Sequence, residues 1–334
     1  MRAKQTIGLL LTNLGTPDTP NCPGLRRYLR EFLWDRRVVD VPRPIWWLIL
    51  NGIIINFRSP KSAALYRKVW TNEGSPLLAI GRKQQKALQA KLDAAQPDGF
   101  RVELAMRYGN PSIATGLQSL RKAGCKRVLV LALYPQYSSS TTASTFDAVA
   151  DALKAGRDMP ELRFVRDYHD DNAYIDALAA SIEKDMQTKG RPDKLLLSFH
   201  GIPQRYYRTG DPYPDECRRT AELLAQRLGL GDDAWMLTFQ SRFGREEWMQ
   251  PYTDKTLEKL ANEGVESIAI ACPGFSADCL ETLEEIDQEN RAVFINAGGK
   301  SYRYIPALND NADHITALAG LVTRHSQGWL SKNQ

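Results

Sequence analysis

One histidine stands where an imidazole could do chemistry. The segment LLLSFHGIPQRY passes from an apolar run through His200 and then breaks at Gly201 and Pro203. Imidazole is the only side chain whose ordinary pKa, about 6.5, lets it accept a proton or bind a metal at neutral pH. Two interpretations are open: a hydrogen-bonded structural histidine at the end of a strand, or a base or metal ligand in a site.

Acidic side chains form a second feature, in the segment CPGFSADCLETLEEIDQEN. If an α-helix begins near Asp278, four polar side chains spaced i, i+3, i+7 and i+10 share one face: Asp278, Glu281, Glu285 and Gln288. Capping and the helix dipole explain Asp278 and Glu281, but they do not explain Glu285 one turn further along. The alternative is a ladder of carboxylates that conducts a hard divalent cation, or protons, into a site.

Aromatic and basic residues form a third group, several of them at predicted strand ends. They are Tyr66, Arg107, Tyr108, Tyr134, Tyr137 and Trp248. Residues of this kind often pack at the rim of a domain. Several of them together with arginine would also suit a flat apolar ligand that carries carboxylates.

The most apolar segment is IWWLILNGIIINF, residues 45–57. It is shorter than the roughly 20 residues that a membrane-spanning helix needs. Two interpretations are open: a segment of the core, or an exposed apolar lip that covers a cleft or rests on a bilayer.

The elements that position these residues alternate between strand and helix along all 334 residues. Apolar runs predict four strands in each half, and amphipathic runs separate them. This order requires right-handed crossovers and parallel sheets. The sequence predicts an α/β fold of two similar Rossmann-like lobes, each a four-stranded parallel sheet flanked by helices. The active cleft is expected between the lobes, beyond the carboxyl ends of the strands.

We expect the N-terminal lobe, with the lip, over residues 1–145. The C-terminal lobe, with His200 and the acidic helix, is expected over residues 146–309. The last helix, residues 310–328, is expected to pack back on the N-terminal lobe.

Composition excludes several classes of function. The net charge is +5 and no basic block occurs, so nucleic-acid binding is not expected. No glycine-rich phosphate loop follows a strand, which argues against a nucleotide enzyme. The five cysteines form no C-x-x-C pair. They fit a reducing cytoplasm, the expected localisation, and argue against a structural zinc or iron–sulfur site.

Several segments together resemble the ferrochelatase family, whose members insert ferrous iron into protoporphyrin IX in the last step of haem synthesis. In chain order they are LLLTNLGTPDTP, LYRKVWTNEGSPL, MRYGNPSI, LYPQYSSSTT, LLLSFHGIPQRY…GDPYPDEC, FQSRFGREEWMQPYTD and CPGFSADCLETLEEI. The resemblance extends from about residue 7 to residue 325. It implies a protohaem ferro-lyase of the bacterial type that lacks an iron–sulfur cluster.

The resemblance also implies roles for individual residues. The expected catalytic residues are His200 and Glu281. The expected metal ligands are His200, Asp278, Glu281 and Glu285. The expected porphyrin-binding residues are Leu14, Tyr66, Ser75, Arg107, Tyr108, Tyr134 and Trp248. Whether His200 accepts protons or is the first ligand of the iron stays open at this point.

Protoporphyrin IX and Fe²⁺ are the implied partners, with iron as a substrate and no permanently bound cofactor. Some relatives hold a cluster partly through the YPQYS segment, where this chain has Ser139, so no cluster is expected. Relatives often have a histidine where this chain has Cys279, and a thiolate there would favour zinc and other softer ions. The alternatives are a chelatase for another metal or tetrapyrrole, and a non-catalytic tetrapyrrole carrier. Contact of the lip with a membrane surface is a further expectation.

Overall fold

The computed structural model describes residues 6–244 and 246–329, which form two compact units. The first unit comprises the residues up to Tyr134, Ser139–Asp167 and the residues from Asp310 onward. The second comprises Pro135–Ser138 and Tyr168–Asn309. Each unit contains one four-stranded parallel sheet, so the predicted fold class is confirmed.

The sheet of the first unit has the strand order β2-β1-β3-β4. Its strands are β1 (Ile7–Thr16), β2 (Phe100–Gly109), β3 (Arg127–Ala132) and β4 (Glu161–Val165). Its helices are α1 (Cys22–Trp34), α2 (Arg43–Ile49), α3 (Ile55–Val69), α4 (Pro76–Ala95), α5 (Ile113–Lys122), α6 (Ser144–Lys154) and the C-terminal α12 (Ala312–His325). Turns of π-helix occupy Leu50–Ile54 and Ser139–Ala143.

The sequence explains why the central strand of this sheet is buried. The run IGLLLTNLGT of β1 is apolar almost throughout, as expected of a strand with both neighbours parallel and helices packed on it. The chain then turns into α1, which begins after Asn21, whose side chain accepts from the backbone N–H of Gly24 at 2.9 Å. Pro23 in the first helical turn fixes the backbone in a helical conformation.

Residues 146–167 lie in the first unit, whereas the sequence analysis assigned them to the C-terminal lobe. The reason is strand pairing: β4 continues the first sheet by pairing with β3 in register, Arg127 with Glu161 and Leu131 with Val165. Helix α12 also belongs to this unit, where it packs against α4.

The apolar segment 45–57 spans α2, a π-helical turn and the start of α3. One face is buried, through Trp46, Leu50 and Ile55. The other face leaves five large apolar side chains between 55% and 71% exposed: Ile45, Trp47, Leu48, Ile53 and Phe57. The buried face belongs to the core, as the first interpretation expected, and the role of the exposed face as a lip over a cleft or a membrane-contacting surface stays a prediction. We call the five exposed residues the apolar face. Across the described residues, no helix is both long and apolar enough to cross a membrane.

The sheet of the second unit repeats the same order as β6-β5-β7-β8. Its strands are β5 (Lys194–His200), β6 (Trp235–Gln240), β7 (Ser267–Ala271) and β8 (Ser301–Ile305). Its helices are α7 (Asn172–Lys189), α8 (Gln204–Arg208), α9 (Tyr213–Arg227), α10 (Thr253–Asn262) and α11 (Asn290–Asn296), with a 3₁₀ turn at Asp232–Ala234 and a π-helix at Glu281–Glu289. The central strand β5 is buried from residue 195 to residue 199, which fixes the position of the residue that follows.

Candidate active site

His200 ends β5 and is its first half-exposed side chain after five buried ones. Its Nδ1 atom lies 2.6 Å from the backbone carbonyl oxygen of Gly201. Because a carbonyl oxygen can only accept, Nδ1 carries the proton of the neutral ring and Nε2 keeps its lone pair. This hydrogen bond therefore presents an imidazole whose Nε2 atom can take a proton or bind a metal.

Trp248 borders His200 because the loops that follow β5 and β6 pair with each other. Residues 202–204 and 247–249 share two backbone hydrogen bonds of 2.9 Å. The ring centroids of Trp248 and His200 lie 6.4 Å apart. Gly201 permits this approach, since a Cβ atom there would lie 3.2 Å from the Trp248 ring. One apolar wall beside the imidazole is thus set by the backbone.

The acidic side chains lie on a π-helix, Glu281–Glu289, instead of the predicted α-helix. Each backbone N–H of a π-helix bonds to the carbonyl five residues back. On this helix the Glu285 carboxyl is close enough to the carboxylates of Glu281 and Glu289 to be affected by their charges. The α-helical stripe predicted from Asp278 to Gln288 is therefore wrong.

Glu285 is largely buried and accepts two hydrogen bonds from one residue, Ser241. The backbone N–H of Ser241 donates to Oε1 at 2.7 Å, and its hydroxyl donates to Oε2. Burial raises the pKa of Glu285 to about 7, while the Ser241 donors oppose this rise and the carboxylates of Glu281 and Glu289 add to it. A carboxyl that titrates near neutral pH can exchange protons as well as bind a cation.

Asp278 precedes the π-helix, and hydrogen bonds occupy both of its oxygens. Oδ1 accepts from the hydroxyls of Tyr304 at 2.6 Å and Thr282 at 3.1 Å. Oδ2 accepts from the side-chain amide of Asn309 at 2.7 Å, and the Asn309 amide oxygen accepts from the backbone N–H of Asp278 at 2.9 Å. These contacts favour a structural role at the entry to the π-helix. The metal-ligand role of Asp278 stays a prediction that its contacts do not support.

The four predicted metal ligands do not form one compact coordination sphere. Within residues 6–244 and 246–329, no three ligand atoms of this set lie within 4.8 Å of one another. The set is His200, Asp278, Glu281 and Glu285. The arrangement is unlike a structural metal site, which holds its ligands ready around the ion.

Cys279 is buried and lies beside Glu281, two positions along the chain. Burial raises the pKa of the Cys279 thiol well above its ordinary value, and the neighbouring Glu281 carboxylate raises it further. The side chain is thus a thiol near neutral pH. A preference for softer metals, which requires a thiolate, gains no support from this environment.

Arg107 and Tyr108, near the end of β2, belong to a network in the first unit. The Arg107 guanidinium pairs with Oδ2 of Asp35 and donates to the Ser144 hydroxyl at 2.6 Å. The Tyr108 hydroxyl lies 2.8 Å from the same Asp35 oxygen. Burial would raise the pKa of Asp35, but hydrogen bonds from Ser144, the Arg37 backbone and Tyr108, with the charge of Arg107, lower it below its usual value. Arg107 is thus already paired within its own unit.

Burial divides the predicted porphyrin-binding residues of the first unit into two groups. Three are buried: Tyr66, Ser75 and Tyr108. Three are half-buried and keep exposed surface: Leu14, Arg107 and Tyr134. Direct contact with a ligand is not supported for Tyr108, which is 0% exposed, or for Ser75, which accepts from the Thr16 hydroxyl at 2.7 Å. Direct ligand binding by Tyr66, Ser75 and Tyr108 thus stays a prediction that their burial does not support.

Comparisons with known proteins single out one family. The sequence model described as Ferrochelatase matches residues 6–326. A ferrochelatase of Thioalkalivibrio sulfidiphilus is 57% identical over 329 residues, which cover 98% of this chain and 89% of the relative. A ferrochelatase of Actinobacillus pleuropneumoniae is 56% identical over 316 residues, which cover 95% of this chain and 97% of the relative. The chain belongs to the ferrochelatase family.

Membership in the ferrochelatase family confirms the resemblance and the expected class, a metal-inserting lyase of haem synthesis. Among solved structures, SirB from Bacillus subtilis matches with a TM-score of 0.57 and 11% identity over 97% of this chain and 96% of that one. CbiX matches with a TM-score of 0.50 and 13% identity over 96% and 99%. Such low identities show a shared fold alone. A chelatase for another tetrapyrrole, or a carrier, is therefore not favoured over a ferrochelatase.

Sequence reasoning missed the partners of two of the predicted site residues. Arg107 pairs with Asp35 across 72 positions, and Glu285 bonds to Ser241 across 44. No local pattern can signal contacts of this span. The one available signal was the position of Ser241 directly after a predicted strand.

Proposed function

We propose that this chain inserts Fe²⁺ into protoporphyrin IX with His200 as the proton acceptor and with Glu281 and Glu285 as the carboxylates that receive the metal. The observation that supports the proposal is the hydrogen bond from His200 Nδ1 to the Gly201 carbonyl oxygen, because it leaves Nε2 as an acceptor. The family supports the substrates, and the geometry supports the choice of residues.

The number of protons released during metal insertion determines the role required of His200. Insertion breaks two pyrrole N–H bonds and forms bonds from the porphyrin nitrogens to Fe²⁺, so one dication enters and two protons leave. The electron pairs of the broken N–H bonds stay on nitrogen and bind the metal. His200 accepts one proton at Nε2, passes it from the imidazolium to solvent water, and then accepts the second in the same way.

The carboxylates provide oxygen ligands for a cation that must be released again. Fe²⁺ loses water stepwise more easily when anionic oxygen replaces it, and Glu281 and Glu285 lie near each other on the π-helix. Among the described residues, the predicted ligands form no compact three-ligand cluster; this suits a transfer site, because an ion held in a complete coordination sphere would not move on to the porphyrin.

The porphyrin-binding roles follow the burial of each side chain. We infer direct contact for the residues that keep exposed surface: Leu14, Arg107, Tyr134 and Trp248. We infer a supporting role for the buried ones: Tyr66, Ser75 and Tyr108. These side chain types offer apolar area for the porphyrin ring and one cation for its carboxylates.

Anaerobic insertion of Fe²⁺ into protoporphyrin IX, followed by absorbance, tests this function. Wild type should turn over, and His200→Ala should bind porphyrin without turnover. Added imidazole should partly restore the variant if His200 accepts protons. A titration with Co²⁺ in the absence of porphyrin separates the two roles of His200: unchanged affinity in His200→Ala supports a proton acceptor, and lost affinity supports a metal ligand. Wild type that binds porphyrin but inserts no metal would overturn the proposal.

Membrane contact is a finer part of the same proposal. The apolar face exposes five large apolar side chains within a 13-residue segment, and exposed apolar surface of this kind is typical of membrane or partner contacts. Protoporphyrin is itself apolar, so a face that rests on a bilayer would bring the enzyme to its substrate. Sedimentation with phospholipid vesicles tests this, with the double variant Trp47→Ser and Leu48→Ser expected to lose binding. Met159→Ser, at another exposed apolar residue, is the control.

The proposal includes no resident cofactor. The absence of an iron–sulfur cluster and the cytoplasmic localisation both stay predictions. Iron and acid-labile sulfide measured in the purified protein test the first. Sulfide in stoichiometric amounts would contradict it.

A further inference from the structure

Ser241 occupies an unusual backbone position at the edge of the candidate site. It follows the last residue of β6 and has a φ of +64°, in the left-handed region that residues with a side chain seldom adopt. Such a conformation is unfavourable for a residue other than glycine, because its Cβ atom crowds the backbone. A glycine would remove this cost, so the serine side chain must contribute something that offsets it.

The contacts of Ser241 show what the side chain contributes. In this conformation its backbone N–H and its hydroxyl point to the same group, and they donate separately to the two oxygens of Glu285. One residue thereby fixes both the position and the rotation of the carboxyl group. We call this pair of hydrogen bonds the Ser241 clamp.

Without the Ser241 clamp, the carboxylate of Glu285 would be expected to change its conformation. Glu285 is largely buried and lies near the like charges of Glu281 and Glu289. Repulsion and burial both favour a rotation of its side chain toward water. Hydrogen bonds to a charged group are among the stronger ones, so two of them can hold the carboxylate in place.

The same residue begins the loop that carries the wall beside the imidazole. Residues 242–252 follow Ser241, and Trp248 within this loop lies 6.4 Å from the His200 ring between ring centroids. The loop also returns to pair with residues 202–204 beside His200. The clamp therefore connects the π-helix to the backbone that frames His200.

We propose that Ser241 is a positioning residue that holds Glu285 facing the incoming divalent cation, so that Glu281 and Glu285 receive the metal together. The inference rests on the proposed function and assigns a role to a residue outside its catalytic set. Ser241 itself binds neither metal nor porphyrin in this proposal. Substitution of Ser241 is therefore expected to weaken the binding of the metal and to leave the binding of porphyrin unchanged.

Two substitutions distinguish the effect of the Ser241 hydroxyl from the effect of the strained backbone at this position. Ser241→Gly removes the hydroxyl and also relieves the positive φ, whereas Ser241→Ala removes the hydroxyl and keeps the strain. We expect both to raise the KM for Fe²⁺ about tenfold, as is typical when a partner of a metal ligand is lost. The KM for protoporphyrin and the kcat at saturating iron should not change. Asp98→Gly, at an exposed residue with a φ of +55° in the first unit, is the control for relief of strain.

A second measurement needs no turnover. The affinity of the porphyrin-free protein for Co²⁺, read from its visible absorbance, should fall about tenfold in both Ser241 variants and not in Asp98→Gly. This binding measurement does not depend on turnover. A wild-type protein that fails to insert iron would therefore overturn the proposed function, while Co²⁺ binding would still test the role of Ser241. Unchanged Fe²⁺ KM and Co²⁺ affinity would overturn the inference. Two other results would also overturn it. Weaker metal binding in Ser241→Ala but not in Ser241→Gly would indicate backbone strain. An equal rise in the KM for Fe²⁺ and the KM for protoporphyrin would indicate a general structural role.

Discussion

Gly201 and Trp248 are in such close contact that a Cβ atom on Gly201 would lie 3.2 Å from Cε3 of the indole ring. The same Cβ atom would lie 3.0 Å from the backbone oxygen of Gln240, which is held in β6 and cannot move aside. The residue after His200 must therefore be small. Its carbonyl oxygen is also the group that orients the imidazole.

The first prediction concerns the substitution Gly201→Ala. The added methyl group should push the backbone of residue 201 away from β6 and displace Trp248, and the imidazole of His200 should turn with the carbonyl oxygen that it bonds to. We expect kcat to fall by up to about 100-fold, as for a misplacement of about 1 Å in a catalytic group. Steady-state insertion kinetics measure this.

A matched control is Gly231→Ala, because no atom lies within 4 Å of the Cβ position there. This variant should keep wild-type kinetics. Wild-type kcat in Gly201→Ala, with a normal melting temperature, would show that the orientation of His200 does not depend on this contact.

The second prediction is a dependence of stability on pH that comes from Glu285. Its pKa rises from 4.5 to about 7 on folding, so between these values the folded chain binds more protons than the unfolded chain. Stability contributed by this group therefore falls as the pH rises through this window and stays low above it. The full shift in the pKa of Glu285 corresponds to a change of about 3 kcal/mol in the free energy of unfolding.

Glu285→Gln removes the negative charge that lowers the stability of the folded protein as the pH rises. Compared with wild type in the presence of a chelator, the variant should gain melting temperature progressively between pH 5 and pH 8. Glu263→Gln, at an exposed carboxylate paired with Lys259, should show almost no such gain. A constant difference between Glu285→Gln and wild type at all pH values would contradict the prediction.

The third prediction separates a structural role of Arg107 from ligand binding. The side chains of Arg107 and Asp35 are only 17% and 8% exposed, so Arg107→Ala would leave a buried carboxylate without its cation. We expect a loss of about 3 kcal/mol in the free energy of unfolding, measured in urea. Because the pKa of Asp35 is lowered, its contribution to stability exists above the unfolded pKa and disappears as the pH falls through the folded pKa.

Arg101→Ala breaks an exposed ion pair with Glu103 on the same strand and should cost less than about 1 kcal/mol. If Arg107→Ala were as stable as Arg101→Ala and only raised the KM for porphyrin, its main role would be ligand binding.

The parts of the fold that follow from short sequence patterns were predictable. The central strands β3, β5 and β7 are mostly continuous apolar runs, and the buried run at residues 195–199 explains why the sequence predicts His200 at a strand end. Local pattern was sufficient here because parallel strands are buried on both faces.

The acidic face shows where such patterns fail. The spacing of Glu281 and Glu285 fits an α-helix, but tertiary contacts select a π-helix: the Tyr302 hydroxyl bonds to the Ile286 carbonyl oxygen at 2.5 Å, and Ser241 holds Glu285. Propensity is a weak guide when contacts from distant segments decide the hydrogen bonding of a helix. The pairing of Arg107 with Asp35 was hidden for the same reason.

The last prediction concerns Cys279 and the choice of metal. Burial and the adjacent Glu281 raise the pKa of this thiol, so it is protonated at pH 8 and shielded from reagents. Iodoacetamide should not label Cys279 in the native protein but should label it after unfolding in urea, as read by mass spectrometry of peptides. Cys279→Ser should keep the wild-type ratio of Fe²⁺ to Zn²⁺ insertion, because no thiolate is lost. Rapid labelling of the native protein, or a shift of that ratio away from zinc in Cys279→Ser, would show instead that the sulfur binds the metal.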